Sequence, residues 1–114
     1  MDHERLKSYS CQVEAAMDVL GGKYKPIIVY ALMEKTLRYN EIQKAIPKAT
    51  PRMLSKQLRE LEADGILQRT VYPVVPPKTE YSLTELGRSL IPVIEAIEAW
   101  GTHLYEREGV DLPC

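Results

Sequence analysis

The chain has 114 residues, of which 45% are apolar and 27% charged, and its formal net charge is −1. This length suffices for one domain with its own core, and the composition is typical of a globular protein. The longest apolar run, "IIVYALM", is far shorter than the roughly 20 residues that span a bilayer, and the charged N-terminal segment does not resemble a secretory signal. We therefore expect a single domain over residues 1–114, located in the cytoplasm, with no membrane contact.

Residue types that carry catalysis or metal binding are sparse. The two cysteines, Cys11 and Cys114, lie at opposite ends of the chain, and the two histidines are His3 and His103. Their spacing matches no zinc site, and no nucleotide-binding or hydrolase motif is present. We therefore expect no enzyme activity, no metal and no cofactor, and we assign no role to Cys114.

Charge is distributed unevenly along the chain. Residues 35–80 carry nine basic and five acidic side chains, a local charge of +4, whereas the remainder carries six and eleven, a charge of −5. Between Lys44 and Arg59 there are five basic side chains and no acidic one. Because salt screens charges beyond about 10 Å, a polyanion would respond to this local field more than to the net charge.

The first predicted helix covers residues 9–20. Ser10 is a suitable N-cap, and a Gly-Gly pair follows the last residue as a stop signal. Within the helix, Val13, Met17 and Leu20 fall on one face.

Three further elements are predicted before the middle of the chain. Residues 23–34 form a helix that is apolar on all sides and should therefore be central in the core. Residues 37–38 form a very short strand or an extended link. Residues 40–46 form a short helix, which Pro47 ends because the residue before a proline leaves the helical region.

The strongest helix signal is the stretch "KATPRMLSKQLRELEADG". Thr50 is an N-cap, Pro51 occupies the first helical position, and Gly65 is the stop signal. The core face follows from the leucine spacing: Leu54, Leu58 and Leu61. The opposite arc carries basic and small polar residues: Arg52, Ser55, Lys56 and Arg59. A solvated face is the ordinary interpretation of such an arc, but a short helix precedes this one across a turn, which is typical of a helix-turn-helix.

A β-hairpin follows this helix. The runs "ILQRTVYPVV" and "KTEYSL" predict two strands, and Pro73, Pro76 and Pro77 belong in a stiff connecting loop because they cannot donate to a sheet ladder. We expect Lys78 near the tip of that loop, with Arg69 on the outgoing strand as a possible companion.

Thr84 is the N-cap of the last predicted helix, which we expect Pro92 to kink. Apolar residues recur along it at spacings of four and three: Leu86, Leu90, Val93, Ile97, Trp100 and Leu104. About 20 helical residues span some 30 Å, so the helix should project from a small domain. A second copy of the chain would cover this apolar seam. The alternative is packing entirely within its own domain.

The order of these elements is that of a winged helix, mainly α with a small β-hairpin. The stretches "DVLGGKYKPIIVYAL", "LRYNEIQKAIP", "RMLSKQLRELEADGIL" and "VYPVVPPKTEYSLTELG" closely resemble the HxlR-type family of bacterial transcription regulators, which are similar in shape to the MarR type. The resemblance covers about residues 11–101.

The resemblance implies a homodimer that binds double-stranded DNA at an inverted repeat, with recognition helix 50–64 and wing 73–78. The expected DNA-binding residues are Arg38, Lys48, Arg52, Ser55, Lys56, Arg59 and Lys78. The expected dimer interface, formed by the first and last helices, contains Val13, Met17, Leu90, Val93, Ile97, Trp100 and Leu104. The small-molecule effector is unknown. A winged helix that binds a protein instead of DNA is the alternative, which the basic face disfavours.

Cys11 matches a cysteine that senses oxidants or electrophiles in several relatives. At the start of a helix the dipole favours the reactive thiolate, which supports a sensing role. Cysteine is also a common small buried residue, so a structural role stays open. Gln12 replaces a proline that often follows this cysteine in relatives, which leaves the geometry around Cys11 open.

Overall fold

A computed structural model describes residues 1–113 as seven α-helices and one three-stranded antiparallel sheet. In chain order the elements are α1 (His3–Lys7), α2 (Gln12–Leu20), α3 (Lys25–Ala31), β1 (Leu37–Arg38), α4 (Tyr39–Ala45), α5 (Pro51–Ala63), β2 (Leu67–Tyr72), β3 (Lys78–Leu83), α6 (Glu85–Arg88) and α7 (Ile91–Glu108). The strand order is β1-β3-β2. This is a winged helix-turn-helix, mainly helical with a small β-hairpin wing, and the predicted fold class is confirmed.

The core lies between α3, α4, α5 and the sheet. Its most deeply buried side chains are Ile28, Val29, Ile42, Leu54, Leu58 and Leu61. From the sheet, Leu37, Leu67 and Leu83 complete the apolar layer. Because α5 contributes three of the six deepest residues, the core fixes how this helix is rotated about its axis.

The N-terminal region differs from the prediction in two respects. A short helix, α1, precedes the first predicted helix, and α2 begins only at Gln12. The N-cap of α2 is Cys11, with an extended backbone at φ −160° and ψ 166°, so the assignment of Ser10 as the cap is wrong. The backbone N–H of Ser10 instead donates to Glu14 Oε2 at 3.4 Å. That bond to the first turn keeps Ser10 just outside the helix.

Helix α3 is shorter than predicted and is buried on one side only. Ile28 and Val29 are inaccessible to solvent, whereas Ile27 and Tyr30 are 45% and 43% exposed. The expectation that this helix is central on all sides is therefore wrong for the side that carries Ile27 and Tyr30.

The C-terminal helix is not continuous. Thr84 caps α6 by accepting the N–H of Gly87 at 3.0 Å, as expected for an N-cap, but α6 ends at Arg88. Pro92 then lies in the first turn of α7 rather than in the interior of one long helix. A proline has no N–H and its ring clashes with the carbonyl four residues earlier, so a break before Pro92 is more favourable than a kink.

Among residues 1–113, none of the helices is long and apolar enough for a bilayer span.

Candidate nucleic-acid interface

Both ends of α5 are set by local chemistry. Thr50 Oγ1 accepts the backbone N–H of Met53 at 3.2 Å, and Pro51 follows at the first helical position. After the helix, Gly65 has a φ of +77°, a conformation that residues with a Cβ avoid, and the chain turns there into β2. The predicted cap and stop signals of this helix are confirmed.

Burial of one side of α5 leaves its basic side in solvent. Leu54, Leu58 and Leu61 are at most 1% exposed. The opposite side carries the predicted basic residues, all of them exposed: Arg52, Lys56 and Arg59. In the described part of the chain, the ion pairs involve other basic residues, so these three charged groups have no internal counter-ion.

Hydrogen bonds hold α5 against its neighbours. The hydroxyl of Ser55 donates to the hydroxyl of Tyr39 at 3.3 Å, and Tyr39 in turn donates to the carbonyl of Pro51 at 3.3 Å. On the buried side, the backbone N–H of Tyr24 donates to Gln57 Oε1 at 2.8 Å. Ser55, predicted to contact DNA, is therefore half-buried and already has a partner in α4.

Two further predicted DNA-binding residues lie on either side of α4. Arg38 is exposed at the end of β1, and its backbone N–H donates to Glu41 Oε1 at 2.9 Å, which orders the start of α4. Lys48 is exposed in the turn between α4 and α5, and its carbonyl accepts a hydrogen bond from the Tyr24 hydroxyl at 3.2 Å. Hydrogen bonds thus hold the backbone of each residue in place, while both charged side chains remain in solvent.

The wing differs from the prediction at Lys78. This residue is not near the loop tip but begins β3, opposite Tyr72 in the register. Its Nζ lies 2.8 Å from Glu80 Oε1 and 5.3 Å from the centre of the Tyr72 ring. The tip is apolar instead, with Val75 99% exposed. Register decides this placement, because pairing of Tyr72 with Lys78 leaves only residues 73–77 for the loop.

Arg69 and Lys78 lie on opposite faces of the sheet. Arg69 is opposite Tyr81, and both share a face with buried Leu67. Lys78 pairs with Tyr72, and the alternation of side chains along β3 places it on the other face. Arg69 Nε is 3.7 Å from Glu62 Oε2 on α5. The suggested pairing of Arg69 with Lys78 on the wing is therefore wrong.

A polar cluster ties α1 to the C-terminal end of α5. The guanidinium of Arg5 donates to both carboxylate oxygens of Asp64, with the longer bond at 3.3 Å, and also to Asp18 Oδ2 at 3.1 Å. Arg5 Nε donates to the Tyr9 hydroxyl at 2.9 Å, and that hydroxyl donates to Asp18. The bond from Tyr9, with the charge of Arg5, holds the pKa of Asp18 below its ordinary value. Sequence patterns did not show this cluster, because Asp64 lies 59 positions from Arg5 in the chain.

Exposed apolar side chains lie on α2 and on one side of α7. Those that belong to the predicted dimer interface are exposed by 43–71%: Val13, Met17, Val93, Ile97, Trp100 and Leu104. Leu90 is half-buried against the core, and Ile94, which the heptad spacing did not include, is the residue of α7 that enters the core. With the exception of Leu90, the predicted seam thus faces away from the protein's own core.

Cys11 is an exposed free thiol at the N-cap of α2. It does not occupy the first helical turn, as the Ser10 cap had suggested, and its exposure disfavours the interpretation as a buried structural cysteine. Cys114 lies outside the described residues. Within residues 1–113, no group of three histidine, cysteine, aspartate or glutamate side chains is arranged to hold a metal ion.

The winged helix-turn-helix shape and the basic, exposed side of α5 are those of helix-turn-helix DNA-binding proteins. Within that class, residues 19–109 match the HxlR-like helix-turn-helix family model, and the chain belongs to this family.

Known relatives agree with this assignment. The HTH-type transcriptional regulator YdeP of Bacillus subtilis is 53% identical over 97 residues, which covers 85% of this chain and 76% of YdeP. Among solved structures, the redox regulator HypR in its oxidized form aligns with a TM-score of 0.79 at 52% identity, over 82% of this chain and 96% of HypR. The reduced form of the regulator YodB from B. subtilis aligns with a TM-score of 0.70 at 36% identity, over 81% and 91%. Similarity to transcriptional regulators, rather than to enzymes, supports a DNA-binding regulator.

Proposed function

We propose that the chain is a single-domain, sequence-specific transcriptional regulator that binds an inverted-repeat operator as a homodimer. Each protomer would insert α5 into the major groove, and the two helices would enter successive grooves about 34 Å apart on one side of the duplex.

The observation that carries this proposal is the unpaired basic side of α5. Its three cations, Arg52, Lys56 and Arg59, are exposed without an internal counter-ion, on a helix whose rotation is fixed by the core. An arginine can bind guanine bidentately, whereas lysine more often binds a phosphate as a point charge. A surface for binding a protein would instead be expected to present apolar or acidic residues here.

The flanking cations would position the protein on the DNA backbone. Arg38 and Lys48 are exposed before and after α4 and suit phosphate contacts, which fix register without reading sequence. Lys78 is paired with Glu80, so binding of a phosphate by Lys78 would require that carboxylate to give way. Lys78 is therefore expected to contribute less than an unpaired lysine.

The exposed apolar side chains of α2 and of α7 support the homodimer. Helix α7 has 18 residues, about 27 Å of helix at 1.5 Å per residue. The radius of gyration is 15.6 Å, whereas a compact domain of this length has about 13 Å. A monomer that extends an apolar seam of this kind gains most by pairing it with the same seam of a second copy.

Salt dependence of DNA binding tests the proposal. If each protomer makes about four phosphate contacts, the logarithm of affinity should fall against the logarithm of salt with a slope of about −7 for the dimer. The double variant Arg52→Ala/Lys56→Ala should lose specific binding and reduce the magnitude of the slope by about 3 to 4. Fluorescence anisotropy with operator DNA, selected from a random pool, measures both quantities.

A matched control keeps the charge change but moves it away from α5. The double variant Lys7→Ala/Arg107→Ala removes two exposed cations on α1 and α7 and should bind as the wild type does. A flat salt response of the wild type would contradict the proposal, as would equal losses in the two double variants.

We further propose that modification of Cys11 modulates DNA binding. The thiol is exposed, and Cys11 is the N-cap residue of α2, the helix that carries Val13 and Met17 of the proposed dimer interface. Two of the similar structures are described as a redox regulator in its oxidized form and as diamide-treated YodB. An added group or a disulfide at Cys11 would alter the packing of α2 and thereby the spacing of the two α5 helices.

Treatment with diamide or with N-ethylmaleimide, followed by the same binding assay, tests this role. Wild type and Cys114→Ser should lose or change affinity, whereas Cys11→Ser should not respond. Equal responses of wild type and Cys11→Ser would exclude Cys11 as the sensor without affecting the DNA-binding proposal.

A further inference from the structure

A polar cavity of about 270 Å³ lies between α5 and the sheet. Its lining residues, here called the arginine niche, are Ser55, Arg59, Glu62, Arg69 and Tyr81. At roughly 30 Å³ per water molecule, the space equals about nine waters. A tetrahedral oxyanion such as a phosphate group therefore fits with part of its hydration shell.

The charges of the arginine niche favour an anion. Arg59 and Arg69 supply two guanidinium groups against one carboxylate, Glu62. The Arg69–Glu62 contact is long, at 3.7 Å between Nε and Oε2, and the two side chains are 49% and 38% exposed. An exposed ion pair of this kind contributes little to stability, so a stronger ligand for the guanidinium can displace it.

Hydroxyl groups complete the donor set. A tyrosine hydroxyl carries its proton at neutral pH, and burial raises the pKa of Tyr81 further above its ordinary value. This hydroxyl can therefore donate to an anion. Ser55 adds a second hydroxyl at the edge of the niche, where its present acceptor is Tyr39 at 3.3 Å. Guanidinium groups with neighbouring hydroxyls are the donors that proteins use to bind phosphate oxygens.

The niche also lies beside the basic side of α5. Arg59 belongs to both, and the strand register places Arg69 next to Tyr81 on the face of the sheet that turns toward α5. A phosphate in the niche would therefore lie close to the DNA phosphates that the basic side chains of α5 would contact.

We propose that the arginine niche binds one phosphate group per protomer, with Arg69 exchanging Glu62 for the phosphate oxygens and Arg59 on the other side. The source of this phosphate is the backbone of bound DNA, and this part of the assignment rests on the proposed DNA-binding function. Free inorganic phosphate offers the same chemistry, and the experiment separates the two sources.

The first arm measures DNA binding by Arg69→Gln and Glu62→Gln. Arg69→Gln should lose one phosphate contact per protomer. This loss should reduce the magnitude of the dimer's salt slope by about 1.8 and weaken binding about thirtyfold at 0.15 M salt. Glu62→Gln removes the competing carboxylate and should strengthen binding. Arg69→Lys keeps the charge and should retain most of the slope, which separates a phosphate contact from a structural role.

The controls are charge-matched substitutions on α7. Arg107→Gln and Glu106→Gln change the net charge by the same amounts outside the niche and should leave the slope unchanged. Thermal unfolding by circular dichroism verifies that each variant is folded before its affinity is compared.

The second arm titrates inorganic phosphate into the free protein at constant ionic strength, with chloride as the replaced anion. A Tyr81 ring shift in NMR spectra that is present in wild type and absent in Arg69→Gln, combined with an unchanged DNA slope, would assign the niche to free phosphate. A change of slope assigns it to the DNA backbone. If Arg69→Gln alters neither response, the niche does not bind phosphate, even where a steep wild-type slope upholds the DNA-binding proposal.

Discussion

Replacement of Trp100 by alanine tests the proposed dimer most directly. Trp100 is 64% exposed in the isolated chain, so its own domain depends little on it. We expect Trp100→Ala to keep the monomer's fold and its unfolding free energy while it weakens self-association.

The size of the effect follows from the exposed area. A tryptophan can bury up to about 250 Å², so the exposed fraction of Trp100 corresponds to about 160 Å², or about 4 kcal/mol per protomer at 25 cal/mol per Å². A symmetric interface contains this residue twice, which sets an upper limit of about 8 kcal/mol. Even half of that limit raises the dimer dissociation constant about a thousandfold.

Sedimentation velocity over a wide concentration range measures this constant. Val75→Ala is the matched control, because Val75 is the most exposed large apolar residue but lies at the wing tip, away from the seam. A wild type that stays monomeric at all concentrations would refute the argument, and so would a dimer that Trp100→Ala leaves unchanged.

Three further outcomes are expected. Gly87→Ala places a Cβ about 2.2 Å from the carbonyl oxygen of Ile66; because the obstacle is backbone, we expect a loss of about 3 kcal/mol or more in urea unfolding. Asp64→Asn removes the carboxylate that holds Arg5, so amide exchange should accelerate in α1 while α5 stays protected. Because the pKa of Asp18 is lowered in the folded state, its contribution to stability is present above its ordinary value of 3.8 and is lost as pH falls through the folded pKa. Asp18→Asn should therefore flatten the acid limb of the stability–pH profile.

The sequence predicts α5 well because its signals are local. A cap at Thr50, a proline at the next position and a glycine after the last turn define the helix without reference to the rest of the chain. The leucine spacing then determines which side is buried and leaves the basic side in solvent. Predictions of this kind need no knowledge of tertiary contacts.

The prediction of one continuous C-terminal helix was less accurate, because the apolar spacing and the proline at position 92 indicate different helix boundaries. The apolar spacing of four and three continues from α6 into α7, and it conceals the break before Pro92. Periodicity reports which residues share a side, but it does not report whether the backbone between them is continuous. The preference of proline for the first helical position would have placed a helix start at Pro92, one residue after the observed start at Ile91.

Long-range contacts account for the remaining differences. Helix α1 has only five residues and no buried one, so it depends on the Arg5–Asp64 contact, which joins residues 59 positions apart. A local signal was present at its N-cap, Asp2, whose side chain accepts the N–H of Arg5 at 2.8 Å. The placement of Arg69 likewise depended on strand register, although its alternation with Leu67 already indicated the face toward the core.

The contacts around α3 explain why the proposed dimer and the proposed DNA-binding helix α5 would be mechanically linked. The bond from Tyr24 to Gln57 is buried and joins the start of α3 to the middle of α5, and Lys25 Nζ lies 3.8 Å from Glu60 Oε1 on the same helix. On its exposed side, the hydroxyl of Tyr30 donates to Glu98 of α7 at 2.9 Å. Because α3 is bonded to both helices, a change in how two copies of α7 pack would move the two α5 helices relative to each other. The distance between the two α5 helices would then be set by the packing at the proposed dimer interface.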